Sequence, residues 1–140
     1  MSLYSEKLAT LKKEFKQIKE SQKKPLKPNQ KIIYDFVNGV TKNAELDING
    51  LTIILKKGDA YKGFMHILLK HYSTNCVGCI TAKDILNMSI MIERGIKLNE
   101  VGVSNQNLVV YRHIKNGVNH NIVLKKETDN KLVVTMYSLD

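Results

Sequence analysis

The first hydrophobic residues of the chain recur at alternating spacings of four and three positions. They are Tyr4, Leu8, Leu11, Phe15 and Ile18. Because this spacing lines one face of an α-helix while lysines occupy much of the remaining surface, it predicts a basic amphipathic helix. Its apolar face needs a partner, which is either the rest of the same domain or a second copy of the chain. Pro25 and Pro28 end the helix, so residues 1–28 are assigned to the basic helix and a Lys/Pro linker.

Two β-rich patterns follow the linker. Residues 31–37 run into Asn38 and Gly39, which predicts a strand before a tight turn, with a short helix as the open alternative. Residues 45–48 and 51–55 flank an Asn-Gly pair and alternate in hydrophobicity before it. This second pattern predicts a β-hairpin.

The centre of the chain has helical spacing. Residues 60–72 predict one helix, and residues 84–94 predict another, with Thr81 as its N-cap and Gly95 at its end. The two helices separate the early β-rich region from the C-terminal third of the chain.

Strand patterns dominate the C-terminal third. Residues 108–114 and 119–126 predict a hairpin around an Asn-Gly turn, and residues 132–137 predict a further strand. Strands on both sides of a helical centre, without regular βαβ alternation, predict an α+β fold. We therefore expect an N-terminal amphipathic helix and central helices packed on an antiparallel sheet, with residues 29–140 forming one domain.

Composition and charge narrow the class of protein. A chain of 140 residues that is 43% hydrophobic and 25% charged is typical of a single globular domain. The formal net charge is +9, and residues 1–31 contribute +6 of it through nine lysines and three glutamates. This charge permits a polyanionic partner such as RNA without requiring one.

The location of the protein follows from its apolar stretches and its cysteines. No stretch approaches the roughly 20 apolar residues that a bilayer span requires. Two cysteines in a chain without a recognisable signal peptide are expected to be reduced thiols. We therefore expect a cytoplasmic protein that does not bind membranes.

Two of the four histidines, His66 and His71, lie in the stretch GFMHILLKHY. An imidazole pair supplies both a base and an acid near neutral pH without a cofactor. On an ideal α-helix the two side chains lie about 140° apart and do not share a face. Joint action requires the helix to begin at or after His66, and the alternative is one surface histidine and one half-buried one.

Other candidate groups lie on the predicted strands. Under strict alternation, Thr135 and Tyr137 share a face of the last strand, where two hydroxyls are suited to bind phosphate oxygens. Arg112 and His113 project to opposite faces, so only one of them can line a given cleft. The chain has no glycine-rich phosphate loop, no G-x-S-x-G motif and no acidic cluster for magnesium, so no cofactor and no metal is expected.

The combination of a strand, the glycine-led helix GFMHILLKH and a final VVTMYS strand resembles the phage-associated branch of the barnase-EndoU-colicin-RelE (BECR) superfamily of endoribonucleases. The resemblance covers about residues 31–140. It implies that the helix with His66 and His71 precedes a curved antiparallel sheet, whose last strand contributes Thr135 and Tyr137.

The resemblance also implies an activity, which is metal-independent cleavage of RNA by attack of a ribose 2′-hydroxyl on the neighbouring phosphate. The implied catalytic residues are His66, His71, Thr135, Tyr137 and Arg112, and the implied phosphate contacts are Lys70 and Lys125. The assignment of base and acid between the two histidines stays open. The resemblance implies a phage or prophage protein, and whether it is a toxin with a neutralising antitoxin or immunity protein stays open.

Two alternatives remain beside this reading. His66, His71, Cys76 and Cys79 together have the residue types of a tetrahedral zinc site, although two free cysteines in a loop are the simpler interpretation. The second alternative is a non-enzymatic module whose basic helix, residues 4–22, binds nucleic acid or another protein.

Overall fold

The computed structural model describes residues 2–73, 79–98, 108–115, 117–128 and 130–139, with the backbone alone at some strand ends. Within these ranges the helices are α1 (Leu3–Ser21), α2 (Pro28–Val37), α3 (Phe64–His66), α4 (Ala82–Leu86) and α5 (Met88–Arg94). A π-helical segment (Ile67–His71) continues α3 without a break. The strands are β1 (Ala44–Ile48), β2 (Leu51–Leu55), β3 (Ile96–Leu98), β4 (Leu108–Lys115), β5 (Val118–Thr128) and β6 (Lys131–Leu139).

These strands form one mixed sheet in the order β1-β2-β6-β5-β4-β3. Neighbouring strands are antiparallel except for β2 and β6, which run parallel. The predicted α+β class is confirmed. The parallel pair is an addition to the antiparallel sheet that was expected, because local patterns define each hairpin but not the way one hairpin docks beside another.

Both hairpins with Asn-Gly turns are confirmed. In the first, Asn49 and Gly50 have φ angles of 53° and 81°, which suits the two central positions of a type I′ turn. In the second, β4 and β5 pair in register from Leu108 with Lys125 to Lys115 with Val118. Strand β3 was not predicted, because three residues are too few to show a hydrophobic period.

The expected strand at residues 31–37 is wrong, and the alternative of a short helix is correct. The β-rich composition of this segment is outweighed by Pro28, which occupies the first turn, and by the helical spacing of Ile33, Phe36 and Val37, which are all buried. Gln30 further fixes the start of α2, since its side-chain oxygen accepts the Lys27 N–H at 2.9 Å.

Helix α1 packs on its own domain, which is the first of the two alternatives that the sequence left open for its apolar face. Ser2 caps it by accepting the Ser5 N–H at 3.1 Å. Leu11 and Phe15 are fully buried, and the helix contacts α2, α4 and the π-helical segment. The apolar face that a homodimer would use is therefore already covered.

The core lies between the helices and one face of the sheet. Its fully buried members include Leu46, Ile53, Leu55, Phe64, Leu68, Ile85 and Leu124. Among the described residues, no helix combines the length and the apolar character that crossing a bilayer would demand.

Candidate active site

The helix that carries His66 begins in a loop that is tied to the last strand. The Gly63 N–H donates to the Thr135 carbonyl at 2.9 Å, and the Phe64 N–H donates to the Lys56 carbonyl at 2.9 Å. Gly58 and Gly63 have positive φ angles of 65° and 84° and approach each other closely. This loop, residues 56–63, therefore places the first turn of α3 beside β6.

The far end of the same helix is held by α1. Tyr72 is buried, its hydroxyl donates to the Glu14 carboxylate, and its carbonyl accepts from Lys7 Nζ at 2.9 Å. Between the two anchored ends, the backbone opens into a π turn in which the Tyr72 N–H donates to the Ile67 carbonyl at 2.9 Å. A π turn has more residues per turn than an α-helix, so residues five positions apart come to lie on one face.

The π turn brings His66 and His71 together. Their Nε2 atoms are 3.2 Å apart, and the ring centroids are separated by 5.0 Å in an edge-to-face arrangement. The sequence analysis expected the two rings on different faces of an ideal α-helix. That expectation is wrong, because this part of the helix is not an α-helix.

The hydrogen bonds of the pair define its tautomers. His66 Nδ1 lies 2.9 Å from the Ala60 carbonyl, which can only accept, so His66 carries its proton on Nδ1. In the neutral pair, His66 Nε2 is then the acceptor and His71 Nε2–H is the donor. His71 Nδ1 has no hydrogen-bond partner among the described residues.

The electrostatics of the pair favour a single shared proton. Burial lowers the pKa of His71, and repulsion from His66 lowers it further. The pair therefore resists double protonation. A group of this kind accepts or releases a proton near neutral pH.

A basic cleft of about 160 Å³ lies beside the start of α3. Its lining includes Lys56, Lys62, Gly63, Lys125 and Thr135, with Glu127 at the same site. The three lysines are exposed and outnumber the single carboxylate. This cleft, which we call the lysine cleft, is suited to bind a phosphate group at the loop that leads into α3.

Thr135 lines the lysine cleft, and its hydroxyl is hydrogen-bonded to the neighbouring strand. It is the extra residue of a β-bulge, because Val123 and Leu124 of β5 pair with Met136 and Val134 of β6. Its hydroxyl donates to the Val123 carbonyl at 3.1 Å, so that proton is not available to a phosphate oxygen. The bulge also interrupts the alternation on which the pairing of Thr135 with Tyr137 relied.

Of the two other predicted catalytic residues, Arg112 lies apart from the histidine pair, and Tyr137 is described only in its backbone. Arg112 belongs to β4, two strands away from β6, and its Nε donates to Asn121 Oδ1 at 3.0 Å. The neighbouring Tyr111 packs against the core, so Arg112 points to the sheet face away from the helices. Tyr137 pairs in register with Ile122, and its side chain lies outside the described part of the protein.

The two lysines that were predicted as phosphate contacts are both exposed. Lys125 lines the lysine cleft, and Lys70 belongs to the π-helical segment, next to His71 in sequence. Sequence reasoning missed Lys56, Lys62 and the Ala60 carbonyl. The two glycines that bracket this loop, at positions 58 and 63, are the signal that a tight backbone approach occurs there.

The alternative of a zinc site at His66, His71, Cys76 and Cys79 is weakened, because Cys79 is not a free thiol. Cys79 is disulfide-bonded, so the expectation of a reduced thiol is wrong for this residue. Cys76 lies outside the described residues. Within the part of the chain that the structure describes, no group of three or more His, Cys, Asp or Glu side chains is placed to hold a metal ion.

No family model matches this chain, and neither a curated protein nor a solved structure matches it significantly.

Proposed function

We propose that this chain is a metal-independent endoribonuclease of phage or prophage type, similar to the BECR superfamily, that cleaves RNA by attack of a ribose 2′-hydroxyl. The observation that carries the proposal is the contact between His66 and His71, with their Nε2 atoms 3.2 Å apart. We assign the positive charge that a phosphodiester substrate needs to the lysine cleft, which is lined by Gly63 at the start of α3.

The histidine pair acts as one proton-transfer unit rather than as separate base and acid. His71 Nδ1 accepts the proton of the 2′-hydroxyl as the 2′ oxygen attacks phosphorus. The Nε2 proton of His71 then passes to His66 Nε2, and the Ala60 carbonyl holds the Nδ1 proton of the resulting imidazolium. The 2.9 Å hydrogen bond from His66 to Ala60 supports this relay, because an acceptor at Nδ1 stabilises the charged ring.

The proton returns when the bond between phosphorus and the 5′ oxygen breaks. The leaving 5′ oxygen takes the proton from His71 Nδ1, the Nε2 proton of His66 returns to His71 Nε2, and the pair recovers its starting tautomers. The products are a 2′,3′-cyclic phosphate and a free 5′-hydroxyl, so no proton is gained or lost overall. Lys56, Lys62 and Lys125 are the residues that we assign to the charge on phosphate, with Lys70 as a further contact.

The test is cleavage of a 5′-labelled single-stranded RNA in the presence of EDTA. We expect the wild-type protein to produce 2′,3′-cyclic phosphate ends, and His66→Ala and His71→Ala to lower the rate by about 10²–10⁴-fold. His113→Gln, on β4, is the matched control and should keep the wild-type rate. An RNA with a single 2′-deoxy residue should resist cleavage at that position. Wild-type activity in either site variant would overturn the proposal.

The compartment and the partner belong to the same proposal. The enzyme acts in the cytoplasm, where RNA is abundant and where glutathione and thioredoxin reduce the disulfide of Cys79, and an antitoxin or immunity protein restrains it there. Expression of the wild-type chain should then slow the growth of host cells, whereas His66→Ala should not. Equal toxicity of both proteins would contradict this role.

A further inference from the structure

A second basic surface lies at the opposite end of α1 from the histidine pair. Two adjoining cavities of about 400 and 630 Å³ open between the end of α1, the linker and α2. We call them together the basic groove. It is lined by Lys19, Lys23, Lys24, Lys27, Lys31 and Tyr34.

The charge of the basic groove is not balanced by its own lining. No carboxylate is among the described residues that line either cavity. Lys31 forms an ion pair with the partly buried Asp35 at 3.7 Å, and all five lysines of the groove are exposed. Like charges that are held together in this way repel each other and attract a polyanion.

The backbone that presents these lysines is ordered before any ligand binds. The Gln22 N–H donates to the Ile18 carbonyl at 3.1 Å, and Gln22 Nε2 donates to the Lys24 carbonyl at 2.9 Å. Leu26 packs against the hydrophobic core. Binding therefore costs little backbone entropy, which is the advantage of a preorganised site.

The groove also contains an aromatic ring. Tyr34 stacks on the buried Phe15 with ring centroids 6.0 Å apart, and Lys19 Nζ lies 5.0 Å from the Tyr34 ring centroid. When a phosphate draws Lys19 away, the outer face of Tyr34 becomes available to a base. Lysines around an aromatic ring are typical of surfaces that bind single-stranded nucleic acid.

We propose that the basic groove is a second binding surface for single-stranded RNA. The choice of RNA rests on the proposed function. A flat membrane surface fits the groove poorly, because the lysines line a concave surface. Lys7 contacts the end of the π-helical segment, and at 1.5 Å per residue the groove begins roughly 20 Å away along α1. One RNA strand can therefore occupy both surfaces.

The test measures binding without cleavage. Fluorescence anisotropy follows a labelled 20-nucleotide 2′-O-methyl RNA, which lacks the attacking hydroxyl, across a range of salt concentrations. The groove variant is K23Q/K24Q/K27Q, and the control K42Q/K83Q/K131Q removes the same charge from exposed lysines elsewhere. All six positions are exposed, and matching thermal melting curves verify that the variants fold.

We expect the groove variant to bind on the order of a hundredfold more weakly at 0.1 M salt. Each lost phosphate contact lowers the slope of log affinity against log salt by about 0.7, so three lower it by about 2. The control variant should change the slope of log affinity against log salt by less than about 0.7, the value for one phosphate contact. An equal loss in both triple variants, or wild-type affinity in the groove variant, would overturn the proposal.

Three further measurements distinguish a failure of the groove proposal from a failure of the proposed function. Groove-dependent binding by a protein that never cleaves RNA would support the groove and refute the nuclease. A DNA strand of the same sequence that binds as tightly as RNA would overturn the choice of RNA. Groove-dependent binding to phosphatidylserine vesicles, with RNA binding unchanged in the groove variant, would overturn the nucleic-acid assignment.

Discussion

Alanine substitution of His66 and His71, singly and together, measures the free energy that couples the two rings. Their hydrogen bond is partly buried and has a length of 3.2 Å, at the long end of the normal range. A hydrogen bond contributes a net 0.5–1.5 kcal/mol to stability, so we expect a coupling energy of about 0.5–1 kcal/mol at pH 8 from this pair.

The same coupling should weaken as the pH falls below 6.5 and through the lowered pKa of native His71. Because burial and repulsion from His66 lower the pKa of His71 below its ordinary value of 6.5, the unfolded chain binds that proton more readily than the native protein does. The stability that neutral His71 contributes is complete above that value and is lost as the pH falls through the lowered pKa of the native state. Once both rings are protonated, neither can accept a hydrogen bond and they repel each other.

Urea unfolding followed by circular dichroism supplies the measurement. With a slope near 2 kcal/mol per M urea, a coupling of that size corresponds to about 0.3–0.5 M in the non-additive part of the midpoint shift. A parallel cycle of His66 with His113, which lies on β4, should be additive within about 0.5 kcal/mol. A coupling that is absent at pH 8, or that is the same at pH 5, would refute the shared proton on which the proposed relay depends.

Two further predictions concern the framework of the site. Phe15→Ala should lower the free energy of unfolding by about 3–5 kcal/mol in thermal or urea unfolding. The control Lys16→Ala, at an exposed position of the same helix, should change it by less than about 0.5 kcal/mol. A similarly small effect of both substitutions would show that α1 is not part of the core. Gly58→Ala should lower the free energy of unfolding by about 2–5 kcal/mol, because the added Cβ would lie 2.1 Å from the Lys62 carbonyl oxygen. Gly39→Ala should lower it by about 1–2 kcal/mol, because its added Cβ meets no atom within 4 Å and only the positive φ is unfavourable. Equal losses at both glycines would mean that the loop tolerates the added carbon.

Elements whose signals are local could be predicted from the sequence. Helix α1, both Asn-Gly hairpins and the Thr81 cap depend on residues within a few positions of each other. Thr81 and Asp84 do form the reciprocal bonds of a capping box, at 3.3 and 3.0 Å. The α2 segment shows the limit of such signals, because its composition favoured a strand while burial of one helical face decided the outcome.

The candidate site was predicted in part. Its two histidines and Lys125 were identified, but the predicted partnership of Thr135 with Tyr137 and the inclusion of Arg112 relied on regular alternation and on an unknown strand order. A bulge at Thr135 interrupts the alternation, and the strand order places Arg112 two strands away from β6. Neither feature leaves a periodic trace in a single sequence.

The sequence by itself determined that two imidazoles, a glycine-led helix and a lysine-rich surface exist, and that the chain folds as helices against a sheet. Tertiary structure decided that the imidazoles touch. Glu14 and Lys7 hold Tyr72 across 58 and 65 positions of the chain, while Thr135 holds Gly63 at the other end of the helix. The segment between these two ends forms the π turn that joins the rings, and hydrophobic periodicity cannot report hydrogen bonds made over such separations.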